Sequence, residues 1–403
     1  MTNYTVGVRA QLSFMMLLEY FIWGAWYVTL GTYMTQYLNA SGTQIGAAYG
    51  ALAIATIISP FFIGFIADKY FAAQRIMGVL HLVGAVLLFL ATQIKDNTAF
   101  YWLVLVYSML YMPTIALSNN IAFSQMNDAG KQFPWIRVFG TLGWIAAGIL
   151  ISSLGFDKEN SIATFQMAAI ASGVLGLFSF VLPNTPPKGK TSDASASSTL
   201  GLDAFVLFKN RSYTIFFISA ILICIPLSFY YGFANVFLNS IGVKDAAAKM
   251  TFGQASEAIF IIAIPFLFNS IGVKNMLLMG ILAWLFRYIC FAFGNITDNM
   301  WMIYAGIILH GICYDFFFVT GYMYTEKKAS EKIKNSAQAL FTLASYGIGM
   351  VIGTYFSGFV VEGATSDITD WHQVWMVPAY ISFGVLIFFL LLFKEKKQIE
   401  TAA

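Results

Sequence analysis

His310-Gly-Ile-Cys-Tyr-Asp-Phe-Phe-Phe318 sets an imidazole, a phenol and an acid inside a run, about residues 300 to 324, that is otherwise apolar enough to lie in a bilayer. An ionised carboxylate in hydrocarbon costs several kcal/mol, so such residues are rare, face a protein interior or a water-filled cavity, and mark substrate or proton pathways. The rest of the sequence has to account for Asp315.

Outward from this stretch the chain stays apolar. Of its 403 residues, 59% are hydrophobic, 17% aromatic and 10% charged, against about 25% charged in an ordinary soluble domain. Runs of about 20 apolar residues, each able to cross a core of about 30 Å as a helix, recur throughout. They fall at about 12 to 34, 45 to 67, 76 to 94, 99 to 124, 135 to 154 and 162 to 183. A second set follows at about 212 to 239, 248 to 270, 275 to 294, 300 to 324, 335 to 361 and 372 to 393. The expected fold class is an all-α integral membrane protein with 12 transmembrane helices. The first run carries Glu19, exceeds a signal-peptide core and lacks a small-x-small cleavage site, so it is expected to remain as helix 1.

Several function classes fall away. No stretch outside the spans is long enough for a soluble catalytic head or a receptor's output module. The net charge of +3 is too small and scattered for nucleic-acid binding. His81, His310 and His372 are too dispersed for a metal site, and neither His-Glu-x-x-His nor Gly-x-Ser-x-Gly occurs, so no cofactor and no intramembrane enzyme is expected. Cys224, Cys290 and Cys313 lie inside spans without paired spacing and read as packing residues.

Between the two sets lies the polar, Pro- and Ser-rich segment Asn184-Thr-Pro-Pro-Lys-Gly-Lys-Thr-Ser-Asp-Ala-Ser-Ala-Ser-Ser198. It predicts a six-helix bundle over 1–183, a linker over 184–209 and a second six-helix bundle over 210–403. Sixteen lysines and arginines, among them Arg9, Arg75, Lys131, Lys188, Lys209, Lys274, Lys327 and Lys394, fall in the termini and the even-to-odd loops. Only four, Lys95, Lys158, Lys244 and Lys249, fall in the opposite loops. The positive-inside bias therefore predicts both termini and the linker on the cytoplasmic side.

Polar residues inside the spans form stripes. Arg137, Thr141, Trp144 and Gly148 follow at i, i+4, i+7 and i+11 in span 5, which places a guanidinium, a hydroxyl and an indole on one helical face. Gln254 and Glu257 share a face of span 8; Ser228, Tyr231 and Asn235 line span 7; Glu19, Trp23 and Trp26 line span 1. In span 10, His310, Tyr314, Asp315 and Phe318 fall within an arc of about 140°, opposite Leu309, Ile312, Phe316, Val319 and Met323. Each has a plainer reading: snorkelling for Arg137, helix bracing for Glu19, packing for His310 and Asn119-Asn120, and pairing of Arg287 with an acid. Together, donors and acceptors beside aromatic faces suit a flat, hydroxyl-rich solute whose ring stacks while its edges hydrogen-bond, as in a nucleoside; a sugar fits nearly as well.

Pro60-Phe-Phe followed by Ile76-Met-Gly78 is echoed by Pro265-Phe-Leu and Leu278-Met-Gly280, a weak repeat. Six plus six parallel repeats are the architecture of the major facilitator superfamily, whose substrate site lies at the midplane between the halves. Gly64-x-x-x-Asp68-Lys69 with Arg75 resembles that superfamily's loop 2-3 motif, a cytoplasmic latch, in a degenerate form lacking its second glycine. Within the superfamily, Phe21-Ile-Trp-Gly-Ala-Trp26, Tyr111-Met-Pro-Thr114, Phe133-Pro-Trp-Ile-Arg-Val-Phe-Gly-Thr-Leu-Gly143, Leu200-Gly-Leu-Asp-Ala-Phe205 and Tyr314-Asp-Phe-Phe317 resemble the bacterial nucleoside:H⁺ symporter family. Glu19 to Trp26 and Pro226-Leu-Ser-Phe-Tyr-Tyr-Gly-Phe-Ala-Asn235 look closer to a less characterised branch than to the well-studied permease.

The resemblance implies a proton-coupled importer of nucleosides, monomeric, in the bacterial cytoplasmic (inner) membrane. It implies substrate binding by Arg137, Thr141, Trp144, Gln254 and Glu257, with Ser228, Tyr231, His310, Tyr314 and Phe318 alongside. Asp315 stands at the family's coupling position, and Glu257 and Glu19 are further candidates to carry the proton. Ser228 and Tyr231 replace two amides of the studied permease, and His310 replaces a tyrosine, which bears on base preference. A sugar transporter of the same fold is the alternative.

Overall fold

The computed structural model describes residues 5–67, 71–157, 161–187 and 202–394. Among these, twelve helices are long and apolar enough to cross a membrane. Spans 1 to 6 are Val6–Tyr37, Gly42–Ser59, Ala73–Ala91, Asn97–Gln125, Lys131–Ser153 and Ile162–Ser179. Spans 7 to 12 are Arg211–Ser240, Ala246–Ile264, Ser270–Phe293, Met300–Lys328, Lys334–Gly363 and Trp371–Leu392. Span 1 outruns its expected limits because a second helix, Leu30–Tyr37, continues from Val6–Tyr27 after a two-residue break. The latch residues Asp68 and Lys69 and most of the central linker, 188–201, lie outside the described residues. Gly64 belongs to the helix Gly42–Ala67, Arg75 is exposed in the first turn of span 3, and the linker's last part, Leu202–Lys209, forms 3₁₀ turns.

Capping side chains fix several helix starts outside the apolar runs. Asp96 accepts from the Ala99 amide at 2.7 Å, Asp128 from Lys131 at 3.2 Å and Asp370 from Gln373 at 3.1 Å, each satisfying an otherwise orphaned N–H. Spans 8 and 9 form one helical run broken only at Gly272, whose φ of 77° suits glycine above other residues. Span 10 changes winding at Asp315: α-helix through Tyr314, a π turn over Asp315–Val319, then α-helix again. Span 11 carries a second π turn over Leu343–Gly349. Such single-turn π segments sit disproportionately at functional positions.

The helices gather into two compact units. The first comprises Met1–Ala194 with Tyr230–Thr251 and Thr354–Glu362; the second comprises Ser195–Phe229, Phe252–Gly353 and Gly363–Ala403. Lipid tails are as apolar as leucine, so packing and interhelical hydrogen bonds hold such helices together. In the first unit, Gly143 of span 5 lies directly against the Leu17 carbonyl of span 1, leaving no room for a side chain. Trp26 fills the space beyond, 5.3 Å from the Tyr107 ring and 6.1 Å from Phe165. In the second unit, Trp284, Tyr288 and Trp375 stack at 5.8 and 5.9 Å. There Ile312, Phe316, Val319 and Met323, the apolar arc of span 10, pack with Ile264, Phe260 and Met276.

Candidate functional site

In the first unit, span 1 organises the polar stripe of span 5. The Arg137 guanidinium lies 4.0 Å above the Tyr20 ring, a cation–π contact. Trp144 meets Trp23 edge-on at 5.5 Å, and Tyr27 at 6.5 Å. Tyr27 continues the row to Tyr49 at 5.0 Å and to Tyr231 at 5.5 Å. Arg137, Thr141, Trp144 and Tyr231 are all partly exposed. Tyr20 and Tyr27 escaped the sequence reading, although Tyr20, Trp23 and Tyr27 stand at i, i+3 and i+7. Trp26, on the same stripe as Trp23, is wholly buried and packs on Tyr107. Asn235 joins helices rather than facing open space, its Oδ1 accepting from Thr32 at 2.7 Å.

Glu19 is wholly buried and wholly partnered. Thr114 donates to its Oε1 at 2.6 Å, and His81 Nε2 lies 2.9 Å from its Oε2.

The second unit brings together the acids of spans 8 and 10. Asp315 opens the π turn with no exposed surface, and neither carboxylate oxygen has a hydrogen-bond partner. Glu257 is about one-third exposed on its side chain and stands 3.9 Å from His310 Nε2. His310 is itself anchored from behind: Arg287 Nη1 lies 2.8 Å from its Nδ1. Arginine can only donate, so Nδ1 must accept, and the neutral ring carries its proton on Nε2, toward Glu257. A second proton on the ring would set N–H against N–H. Arg287 also lies 5.4 Å over Trp284.

Tyr314 shares a hydrogen bond with the Tyr346 hydroxyl, and both rings flank Phe318, at 5.4 and 5.8 Å. Tyr346 was not singled out from the sequence; the polar Ser345-Tyr346 pair inside an apolar run was its signal. Gln254 is half-buried, with its Oε1 buried and unpartnered. Ser228 stays apart from this group, fully buried and donating to the Cys224 carbonyl of its own helix at 2.8 Å. Among the described residues, no three His, Cys, Asp or Glu side chains converge as a metal site would. A groove of about 600 Å³ beside Arg9, Phe14 and Trp135 contains none of these stripe residues.

The geometry supplies stacking faces, fixed donors and a buried acid able to gain a proton, parts suited to moving a polar aromatic solute. Comparisons with known proteins agree. A family model described as the nucleoside H+ symporter matches residues 6–398. YegT of Escherichia coli (strain K12) is 39% identical, over 98% of this chain and 95% of its own. The xanthosine permease of the same organism is 37% identical, over 95% and 96%. The crystal structure of the nucleoside transporter NupG superposes with a TM-score of 0.90 at 36% identity, covering 97% of this chain and all of that one.

Proposed function

The chain belongs to the nucleoside H+ symporter family, and from that premise we propose that it imports nucleosides with protons by alternating access, Asp315 taking up the proton. It is a multi-pass membrane transporter of twelve spans with the major facilitator fold, and its family is one of transporters rather than enzymes.

The observation that carries the coupling assignment is the state of Asp315: buried, with no hydrogen bond to either oxygen. An ionised carboxylate there lacks every compensation that normally accompanies burial, whereas the protonated form sheds most of that penalty. Proton binding therefore shifts the balance among conformations by the difference in cost. Glu257 has solvent access and a neighbouring Nε2–H, which supports a role in holding substrate hydroxyls with Gln254. Arg137 and Thr141 are assigned to base or ribose edges, and Trp144, Tyr231, Tyr314 and Phe318 to ring contacts. His310 is a donor in this scheme, and Ser228 supports span 7. We further propose a monomer in the bacterial inner membrane, both termini cytoplasmic, with Gly64, Asp68, Lys69 and Arg75 as the latch.

Uptake of radiolabelled uridine and adenosine into proteoliposomes under an imposed proton gradient tests the function, with xanthosine and sugars as competitors. Gradient-dependent nucleoside accumulation insensitive to sugars is the expected result. Sugar accumulation without nucleoside uptake would replace the reading with a sugar transporter.

A further inference from the structure

The π turns of spans 10 and 11 meet across one seam. Span 10 carries Tyr314, Phe318 and Tyr322 at steps of four, and span 11 carries Gln338, Thr342 and Tyr346 at the same step. The Gln338 side-chain amide donates to the Tyr322 carbonyl at 3.0 Å, and the Tyr322 hydroxyl lies 3.0 Å from Thr342 Oγ1. One level further along, Tyr346 meets Phe318 with ring centroids 5.8 Å apart and shares a hydrogen bond with the Tyr314 hydroxyl. An α-helix cannot keep such a stripe straight, because each step of four overshoots a turn by about 40°. The π turn Asp315–Val319 lies across the step from Tyr314 to Phe318, and the π turn Leu343–Gly349 across the step from Thr342 to Tyr346. Bonding to the fifth residue rather than the fourth, each takes up part of that excess.

The seam thus delivers Tyr346 to the level of Asp315. Tyr314 immediately precedes that acid, and its ring lies 5.8 Å from His310 and 5.4 Å from Phe318. Phe318 is wholly buried, whereas Tyr314 and Tyr346 are partly exposed. A partly exposed ring can change rotamer about its side-chain torsions. A hydrogen bond at its far end, to a residue of another helix, selects one orientation.

We propose that Tyr346 is a positioning residue for transport: through its hydroxyl it holds the Tyr314 ring in the orientation that receives the solute beside Asp315. The proposal rests on the transport reading above and on Tyr314 as a ring contact within it.

Initial rates of uridine uptake into proteoliposomes are to be measured for the parent, Y314F, Y346F, Y314F/Y346F and T342V. Y346F keeps the ring against Phe318 and removes only the hydroxyl. It is expected to raise KM about three- to tenfold, the net worth of one hydrogen bond. Its maximal rate is expected to stay within about twofold of the parent, and its unfolding temperature close to the parent's. Y314F deletes the same bond from the other side and is expected to give the same rise. The double variant is expected to rise no further, because the shared interaction is lost only once. T342V removes a hydroxyl one level away on the same seam and is expected to leave KM at the parent's value. An unchanged KM in Y346F overturns the proposal. So does an equal rise in T342V, which would make the seam structural only, or a double variant whose KM rises by the product of the two single effects, which would mean that each tyrosine serves the solute by itself. A parent that accumulates sugars and no nucleoside overturns the transport reading instead, and the same variants then decide the role of Tyr346 with the sugar as the measured solute.

Discussion

Replacing Asp315 with asparagine keeps the shape of the side chain and removes its ability to exchange a proton. The native residue has no exposed surface and no hydrogen-bond partner, so its ionised form costs about 2.5–3.5 kcal/mol at the centre of a membrane helix. One proton moving with each substrate down about 100 mV supplies about 2.3 kcal/mol. A pH difference of one unit adds about 1.4 kcal/mol. The cost of the charge and the available driving force are of the same size, and protonation of this group shifts the conformational balance by whatever part of that cost differs between the two conformations. Together the two gradients support about 500-fold accumulation, each factor of ten being about 1.4 kcal/mol. D315N is expected to bring uridine only to equilibrium across the same proteoliposome membrane, because asparagine permanently resembles the protonated acid. Counterflow, in which external label exchanges for preloaded unlabelled uridine, is expected to persist. Accumulation by D315N approaching that of the parent would refute the argument and move the coupling proton elsewhere.

R137K keeps the charge but replaces the flat guanidinium stacked at 4.0 Å on Tyr20 with a compact, strongly hydrated ammonium; KM in uptake assays is expected to rise about tenfold, the loss of one charged hydrogen bond. H310N can still accept from Arg287 but presents no ring N–H to Glu257, so KM is expected to rise with little change in thermal stability. H310A removes the acceptor from Arg287 Nη1, and scanning calorimetry is expected to show a lower unfolding temperature. G143A forces a methyl group against the Leu17 carbonyl and is expected to cost about 1–3 kcal/mol, the usual penalty of overpacking, read as a lower midpoint in thermal unfolding.

Much of this structure was legible because apolar length is a direct requirement of the bilayer. All twelve spans follow from it, and their limits moved by only a few residues where caps such as Asp96 and Asp370 set the start. Helical periodicity also told faces apart: of the five residues expected opposite the polar arc of span 10, Ile312, Phe316, Val319 and Met323 form an apolar cluster, and Leu309 lies outside it. What periodicity cannot supply is a partner on another helix. His81 looked like an isolated histidine until the fold set it against Glu19. Ser228 shared a stripe with Tyr231, yet its hydroxyl turned back to the Cys224 carbonyl, a choice open to any helical serine. Arg287 needed an acceptor, and only tertiary structure showed His310 Nδ1 as one.

The contact between Trp23 and Trp144, with ring centroids 5.5 Å apart and an interplanar angle of 66°, has a spectroscopic consequence. Two indoles this close and inclined couple their electronic transitions, so the pair carries a near-ultraviolet circular dichroism signal that depends on their mutual angle. Trp26, Trp284 and Trp375 are buried in fixed packing and contribute a steady background. An aromatic solute settling on Trp144 would perturb this coupled pair, and the unlabelled protein would thereby report its own occupancy.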